Sequence, residues 1–528
     1  MESEAFAAGG REPEPAAPPA GAPSAREAST GDKGLKKGAI GLVSSIVIGV
    51  ASTAPGYSLA ASLGFVVAAG VGLQAPAVLW VAFLPMVCIA FAYYYLNRAD
   101  PDCGTTFTWV TKAMGPQVGW IGGWAIIVAD IIVMANLAQI AGLYTYLLFG
   151  WDAAAESTAA VTAIGVVWIA IMTAICTIGI ELSARTQVFL LGAELVTLAL
   201  FAVVALVRVY AGDFGDSVDP SLSWLNPFDI GSTTALIDGV LIAVFIYWGW
   251  DSAVTVNEET EDSTEAPGRS AVISTLILLG IYLIVSVAAQ ALHGTAFLED
   301  NANDVLSSLG SDVFGSPLDK ILIIAVLTSA AASTQTTILP TARTTLSMAA
   351  ARALPSLFGR VHDRFQTPHV STILMGAFSI VWYVGLTIVS EDILFDSIAA
   401  LGLMIAFYYG LTGFACVIYY RRELFSSVKA FFAAGVMPFL GGAMLTYIFV
   451  KSVSDLTEPH KREILGFKPP LGIAIIFGAA GLAFLAAQWW NSPEFFRRKP
   501  ETAPPGSLVV APEPQASFAA ESDAPGGG

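Results

Sequence analysis

The chain has 528 residues, 55% hydrophobic and only 13% charged, with a mean hydropathy of +0.68. Soluble domains carry about 25% charged residues, so this composition excludes a water-soluble protein and points to an integral membrane one. The net charge of −17 argues against a nucleic-acid partner, which needs a basic face.

From the N-terminus, residues 1–34 are rich in Ala, Pro, Gly and Glu, which predicts a disordered cytoplasmic tail. They lack the basic stretch and short apolar core of a secretory signal. Residues 35–492 hold twelve apolar segments, each near the ~20 residues that span hydrocarbon. Their expected bounds are 39–67, 73–96, 118–149, 158–179, 183–210, 234–257, 269–293, 318–342, 369–389, 393–420, 429–451 and 470–491. Residues 493–528 return to Pro, Ala and Gly and predict a second disordered cytoplasmic tail.

Lys and Arg collect in cytoplasmic connections and so set the orientation. Lys33, Lys36, Lys37, Arg98, Lys112, Arg185, Arg269 and the four arginines between 343 and 364 fall on the N-terminal side. The opposite side holds only Arg208, Lys320, Lys451, Lys461, Arg462 and Lys468. Both termini are therefore expected in the cytoplasm. The connection after the sixth segment dissents with five acids from Glu258 to Glu265, but acids weigh little in this rule. Residues 105–114 read as a short interfacial helix and 343–368 as a long cytoplasmic loop. Cys88, Cys103, Cys176 and Cys416 lack metal-type or disulfide spacing and read as packing. His293, His362, His369 and His460 are placed in connections, with no arrangement that suggests a metal site or a nucleophile–base pair.

Two segments are interrupted. The first contains Ser52-Thr53-Ala54-Pro55-Gly56. Proline removes a backbone donor and clashes with the preceding turn, which leaves a kink or a true break open. A break exposes amides that suit an anion on one half-helix and carbonyls that suit a cation on the other. The sixth segment contains Phe245-Ile246-Tyr247-Trp248-Gly249-Trp250-Asp251. Asp251 reads either as a cap for a new helix or as a group that binds protons or ammonium. The aromatics read as packing or as a lid over an organic cation. The two interruptions lie five segments apart, as expected if segments 1–5 and 6–10 are inverted repeats.

Other polar residues sit at membrane depth. An acid there costs about 2.5–3.5 kcal/mol on insertion scales, so Glu194 in the fifth segment and Asp130 in the third need a partner or a proton. In the eighth, Ser333 and Thr334 read as helix–helix glue or as ligands to a small cation.

These stretches resemble the amino acid–polyamine–organocation permeases over about residues 35–450. The resemblance rests on the interrupted first segment and on Tyr247–Asp251 followed by Glu258-Glu259 and Pro267-Gly268-Arg269. It also rests on the run from Arg343 to Pro355 and on the Pro- and Gly-containing stretch 100–105. It implies an all-α membrane protein of twelve transmembrane helices, a LeuT-type 5+5 inverted repeat plus two C-terminal helices. It further implies a substrate carboxylate on the amides of 52–56, an ammonium on the carbonyls near Phe245 to Trp248, and an aromatic gate at Phe245 or Trp248. The chain departs from the usual Gly-Ser-Gly of the first break. It carries Glu194 where some proton-coupled relatives have lysine, while 330–334 fits the pattern of sodium-coupled ones.

The expected function is a secondary active permease of the cell membrane for amino acids or related organic amines. It works by alternating access, with proton-coupled uptake preferred to sodium coupling or exchange. The substrate site is Ser52, Thr53, Ala54, Pro55, Gly56, Phe245, Tyr247, Trp248, Gly249 and Asp251. Glu194, Asp251, Ser333 and Thr334 handle the coupling ion, H+ or Na+. No other cofactor, no resident metal and no enzymatic activity are expected. A non-transporting amino-acid sensor is the rival reading.

Overall fold

A computed structural model describes residues 32–302, 304–389, 392–458 and 463–508. Residues 1–31 and 509–528, most of the two expected tails, lie outside the described residues, as does His460. Among the described residues the regular structure is helical, with only two isolated β-bridges. This follows from the solvent: in hydrocarbon a backbone must satisfy its own polar groups, and a helix does so within one segment.

In chain order the main helices are α1 (Leu42–Ser52), α2 (Pro55–Val66), α3 (Ala75–Ala99), α4 (Thr106–Met114), α5 (Pro116–Phe149), α6 (Thr158–Ile178) and α7 (Ile180–Ala211). Then come α8 (Thr233–Ile246), α9 (Ser252–Thr255), α10 (Ala266–Asp300), α11 (Val305–Phe314) and α12 (Lys320–Ala350). The last are α13 (His369–Val389), α14 (Asp392–Tyr420), α15 (Val428–Leu456), α16 (Pro469–Asn491) and α17 (Pro493–Phe496).

Ten helical runs among the described residues are long and apolar enough to cross a membrane. The first two expected segments belong to one run, Leu42–Ala99. The sixth is not one continuous helix: α8 has 14 residues, about 21 Å at 1.5 Å per residue, and then unwinds. α5 and α12 pack along each other in the middle of the bundle, whereas α6 and α16 leave most of their surface outward.

Several boundaries differ from expectation. The eighth segment does not end at 342, since α12 continues to Ala350 and keeps Arg343 buried. Residues 106–114 form the expected short helix, but it is packed between α5 and α14 rather than lying on an interface, with Phe107, Trp109 and Val110 buried. His293 lies inside α10 rather than in a connection, between Asp216 (2.8 Å) and Asp312 (3.1 Å). His369 is the first residue of α13. Residues 493–508, the described part of the expected C-terminal tail, pack on the bundle. Phe495 stacks on Phe107 and Phe496 on Trp489, and the amides of Glu501 and Ala503 donate to the carbonyls of Lys112 and Tyr419. The composition of that tail hid two aromatic anchors.

Candidate functional site

The two interruptions are breaks, and they cross each other. Pro55 takes the first position of α2, where its missing amide costs nothing. A residue before proline is driven out of the right-handed helix, and Ala54 sits at φ 47, ψ 65. In the partner segment α8 stops at Ile246 and α9 starts at Ser252, with Gly249 at φ +117 between them. A Cβ on Gly249 would stand 2.7 Å from the Ser52 carbonyl oxygen, so glycine supplies both the backbone conformation and the close approach. The hydroxyls of Ser52 and Ser252 meet at 2.8 Å and tie the crossing together.

The loose backbone groups at the crossing are matched by side chains. The Gly56 amide donates to Glu194 Oε1 (2.7 Å) from α7, and the Tyr57 amide to Ser329 Oγ (3.1 Å) from α12. The Ser58 amide is already within the helix, donating to the Ala54 carbonyl. Ser333 Oγ donates to the Ser52 carbonyl (2.8 Å), Ser58 Oγ to that of Thr53 (2.6 Å), and the Tyr282 hydroxyl to that of Ile246 (2.6 Å). A cavity of about 10 Å³ remains, lined by Ser52, Thr53, Ala54, Tyr57, Ser58, Val133, Leu137, Phe245, Trp248 and Ser333. That is room for about one water, so the site is closed around its own side chains. Phe245 also lines an apolar pocket between α2, α8 and α14, and thus separates the inner cavity from the bundle end opposite the N-terminus.

The family model for amino acid permeases matches residues 38–493. The chain belongs to the amino acid permease family. It is 29% identical to an uncharacterised transporter of Mycobacterium tuberculosis, over 64% of this chain and 72% of that one. It is 22% identical to a low-affinity putrescine importer of Escherichia coli, over 77% and 84%. It is 24% identical to the mouse large neutral amino acids transporter small subunit 2, over 89% and 85%.

In this permease, five of the ten expected substrate residues line the cavity: Ser52, Thr53, Ala54, Phe245 and Trp248. Pro55, Gly56 and Gly249 shape the breaks behind it. Tyr247 turns away and packs on Phe83 and Tyr282. Asp251 occupies the residue before α9, but its carboxylate makes no cap. It accepts instead from the hydroxyls of Tyr409 (2.9 Å), Tyr408 (3.2 Å) and Tyr93 (3.5 Å). The Trp248 indole donates to the Tyr408 hydroxyl, so the cavity wall is joined to Asp251 through one tyrosine. Among the expected coupling residues, Glu194 meets Gly56 and Ser333 meets the Ser52 carbonyl, whereas Thr334 donates back to Ala330 in its own helix (2.8 Å). Asp130 accepts from Thr341 (2.6 Å), one turn along α5 from Val133 of the cavity wall.

Tyr57, Tyr93, Ser329, Tyr408 and Tyr409 were not among the expected site residues. The signal available for the tyrosine pair was two adjacent phenols in an apolar segment, which must find an acceptor there.

A second polar cluster closes the N-terminal end. The Lys33 ammonium pairs with Asp102 (2.8 Å) and Glu258 (2.5 Å), and Arg343 with Glu259 (2.6 Å). Backbone bonds from Ala39 to Glu259 and from Glu261 to Ile40 fasten the N-terminal segment beside them. The dissenting acidic connection thus finds its countercharges on Lys33 and Arg343. Asp102, Cys103 and Glu258 are the one group among the described residues spaced for a metal ion. Lys33 already supplies the positive charge there. Burial raises the Asp102 carboxyl, but Lys33 and the donors around it outweigh that and hold it below its usual range. Burial lowers the Lys33 ammonium, and its acidic neighbours more than reverse this, so it stays charged.

Proposed function

We propose that this permease is a secondary active transporter of amino acids or related organic amines in the cell membrane, not an enzyme. The proposal includes twelve transmembrane spans in a 5+5 inverted repeat, with both termini in the cytoplasm. Phe245 and Trp248 gate a midplane site that is exposed to each side in turn. The observation that carries the reading is the crossing of two broken helices at Ser52 and Gly249 around a closed cavity. Half-helix ends at that depth present the backbone dipoles that a small charged substrate needs. The relatives named for putrescine and for large neutral amino acids bracket the substrate class. Uptake by the purified full chain in proteoliposomes, with a panel of amino acids and amines, tests the proposal. A protein that binds a ligand without moving it is instead a sensor.

Proton coupling through Glu194 is the preferred form. Its Oε1 holds the Gly56 amide while Oε2, buried, has no partner, which is a place for a proton. A sodium ion would compete with Ser333 for the Ser52 carbonyl. Glu194→Gln is expected to remove most of the dependence of uptake on an imposed proton gradient while exchange persists. Unchanged gradient dependence removes Glu194 from the coupling step.

A further inference from the structure

We infer that Glu194 is the site's built-in carboxylate, and that this permease therefore selects organic amine cations lacking a carboxylate over the corresponding amino acids. The inference deepens the transporter reading and rests on it.

The N-terminus of a broken half-helix offers its first amides to an anion, and a substrate carboxylate is the natural occupant. In α2 no such amide is left. Pro55 has none, Gly56 donates to Glu194, Tyr57 donates to Ser329, and Ser58 donates within the helix. The geometry around Gly56 is close: a Cβ there would lie 3.3 Å from Glu194 Oε1. A substrate carboxylate would have to displace a fully buried side chain from the one charge-suited position.

Charge points the same way independently. Among the described residues, no basic side chain lines the cavity. Two buried acids lie at the breaks: Glu194 accepts from the Gly56 amide of the first, and Asp251, within the second, accepts from the hydroxyls of Tyr93, Tyr408 and Tyr409. A zwitterion would bring a carboxylate that finds neither an amide nor a cation. An ammonium finds the carbonyl end of α1, where the Ser52 and Thr53 oxygens each accept one side-chain hydroxyl and a carbonyl can accept a second donor, and the rings of Tyr57, Phe245 and Trp248, a setting that favours cations.

The test uses pairs of compounds that differ only by the carboxylate: putrescine against ornithine, cadaverine against lysine, and phenethylamine against phenylalanine. Binding to the purified full chain is measured by calorimetry, and uptake in proteoliposomes. For any pair that engages the site, the amine is expected to bind at least about tenfold more tightly, since a carboxylate left unpaired is strongly rejected. Glu194→Ala exposes the Gly56 amide and is expected to move this ratio at least about tenfold toward the amino acid. Glu194→Gln keeps an oxygen acceptor for Gly56 and is expected to keep the preference for the amine. An amino acid preferred by the unmodified protein overturns the inference and leaves the transporter reading intact, whether or not the variants fold. A folded Glu194→Ala protein with the original ratio also overturns it. A protein that neither binds nor moves any member of any pair overturns both.

Discussion

At the scale of single residues, the site depends on two positions where composition alone predicts a fault. Gly249 is one: its positive φ and the 2.7 Å approach to the Ser52 carbonyl leave no space for a side chain. Gly249→Ala is expected to cost about 1–3 kcal/mol and to abolish uptake, read as a lower melting temperature in detergent and as loss of flux. Full uptake by that variant would mean the two breaks need not touch. Asp251 is the other. Three tyrosine hydroxyls converge on its carboxylate, so Asp251→Ala should destabilise by about 1–3 kcal/mol more than Asp251→Asn, which keeps one acceptor. Equal melting temperatures for the two variants would refute that assignment. The sequence announced an acid beside a glycine in an apolar segment, hence the break. It did not announce the acid's partners, because Tyr93 and the pair Tyr408-Tyr409 lie about 157 residues away on either side and only folding brings them in.

At the scale of elements, the apolar segments were legible because their length is set by the bilayer and their pattern by hydropathy. Their ends were not. α12 runs eight residues past its expected end because Arg343 gains a buried partner in Glu259 rather than facing water as a loop arginine. Such pairing depends on a residue far away in the chain and leaves no local trace. It does have a measurable consequence. Removing one partner of a buried pair strands the other charge, so Arg343→Met or Lys33→Met is expected to cost about 3–5 kcal/mol, seen as a fall in thermal stability. A shift within error would show that these pairs are not closed in the folded protein. The neighbouring Asp100 carries the opposite sign of acid dependence from Asp102. Burial pushes the Asp100 carboxyl up to about 6 from 3.8, although Lys112 opposes this. An acid raised in the folded state contributes stability below its unfolded value and loses it as pH rises toward the folded one. Stability should therefore decline from this group between pH 3.8 and about 6, and Asp100→Asn should flatten that part of the melting profile. A profile identical to that of the unmodified protein would contradict this.

At the scale of the whole molecule, membrane class and helical architecture could be read from composition. The closure of the bundle could not, since it depends on which half-helix ends meet. The two ends of the bundle are closed by different means. Toward the end opposite the N-terminus, the buried apolar ring of Phe245 stands between the cavity and a neighbouring apolar pocket, as a plug. At the N-terminal end, closure rests on three ion pairs, two of them through Lys33, and a run of backbone hydrogen bonds. Removing residues 493–508 should weaken this same end by exposing Phe107 and Trp489, visible as a lower melting temperature; an unchanged value would make the Phe495 and Phe496 contacts dispensable. The contrast between plug and ion pairs gives the permease the character of a ratchet with unequal pawls. On the proposed cycle, opening the first end would move one apolar ring, whereas opening the second would rehydrate charges. If the permease alternates access as proposed, the slow, strongly temperature-dependent half of the cycle is expected at the N-terminal end.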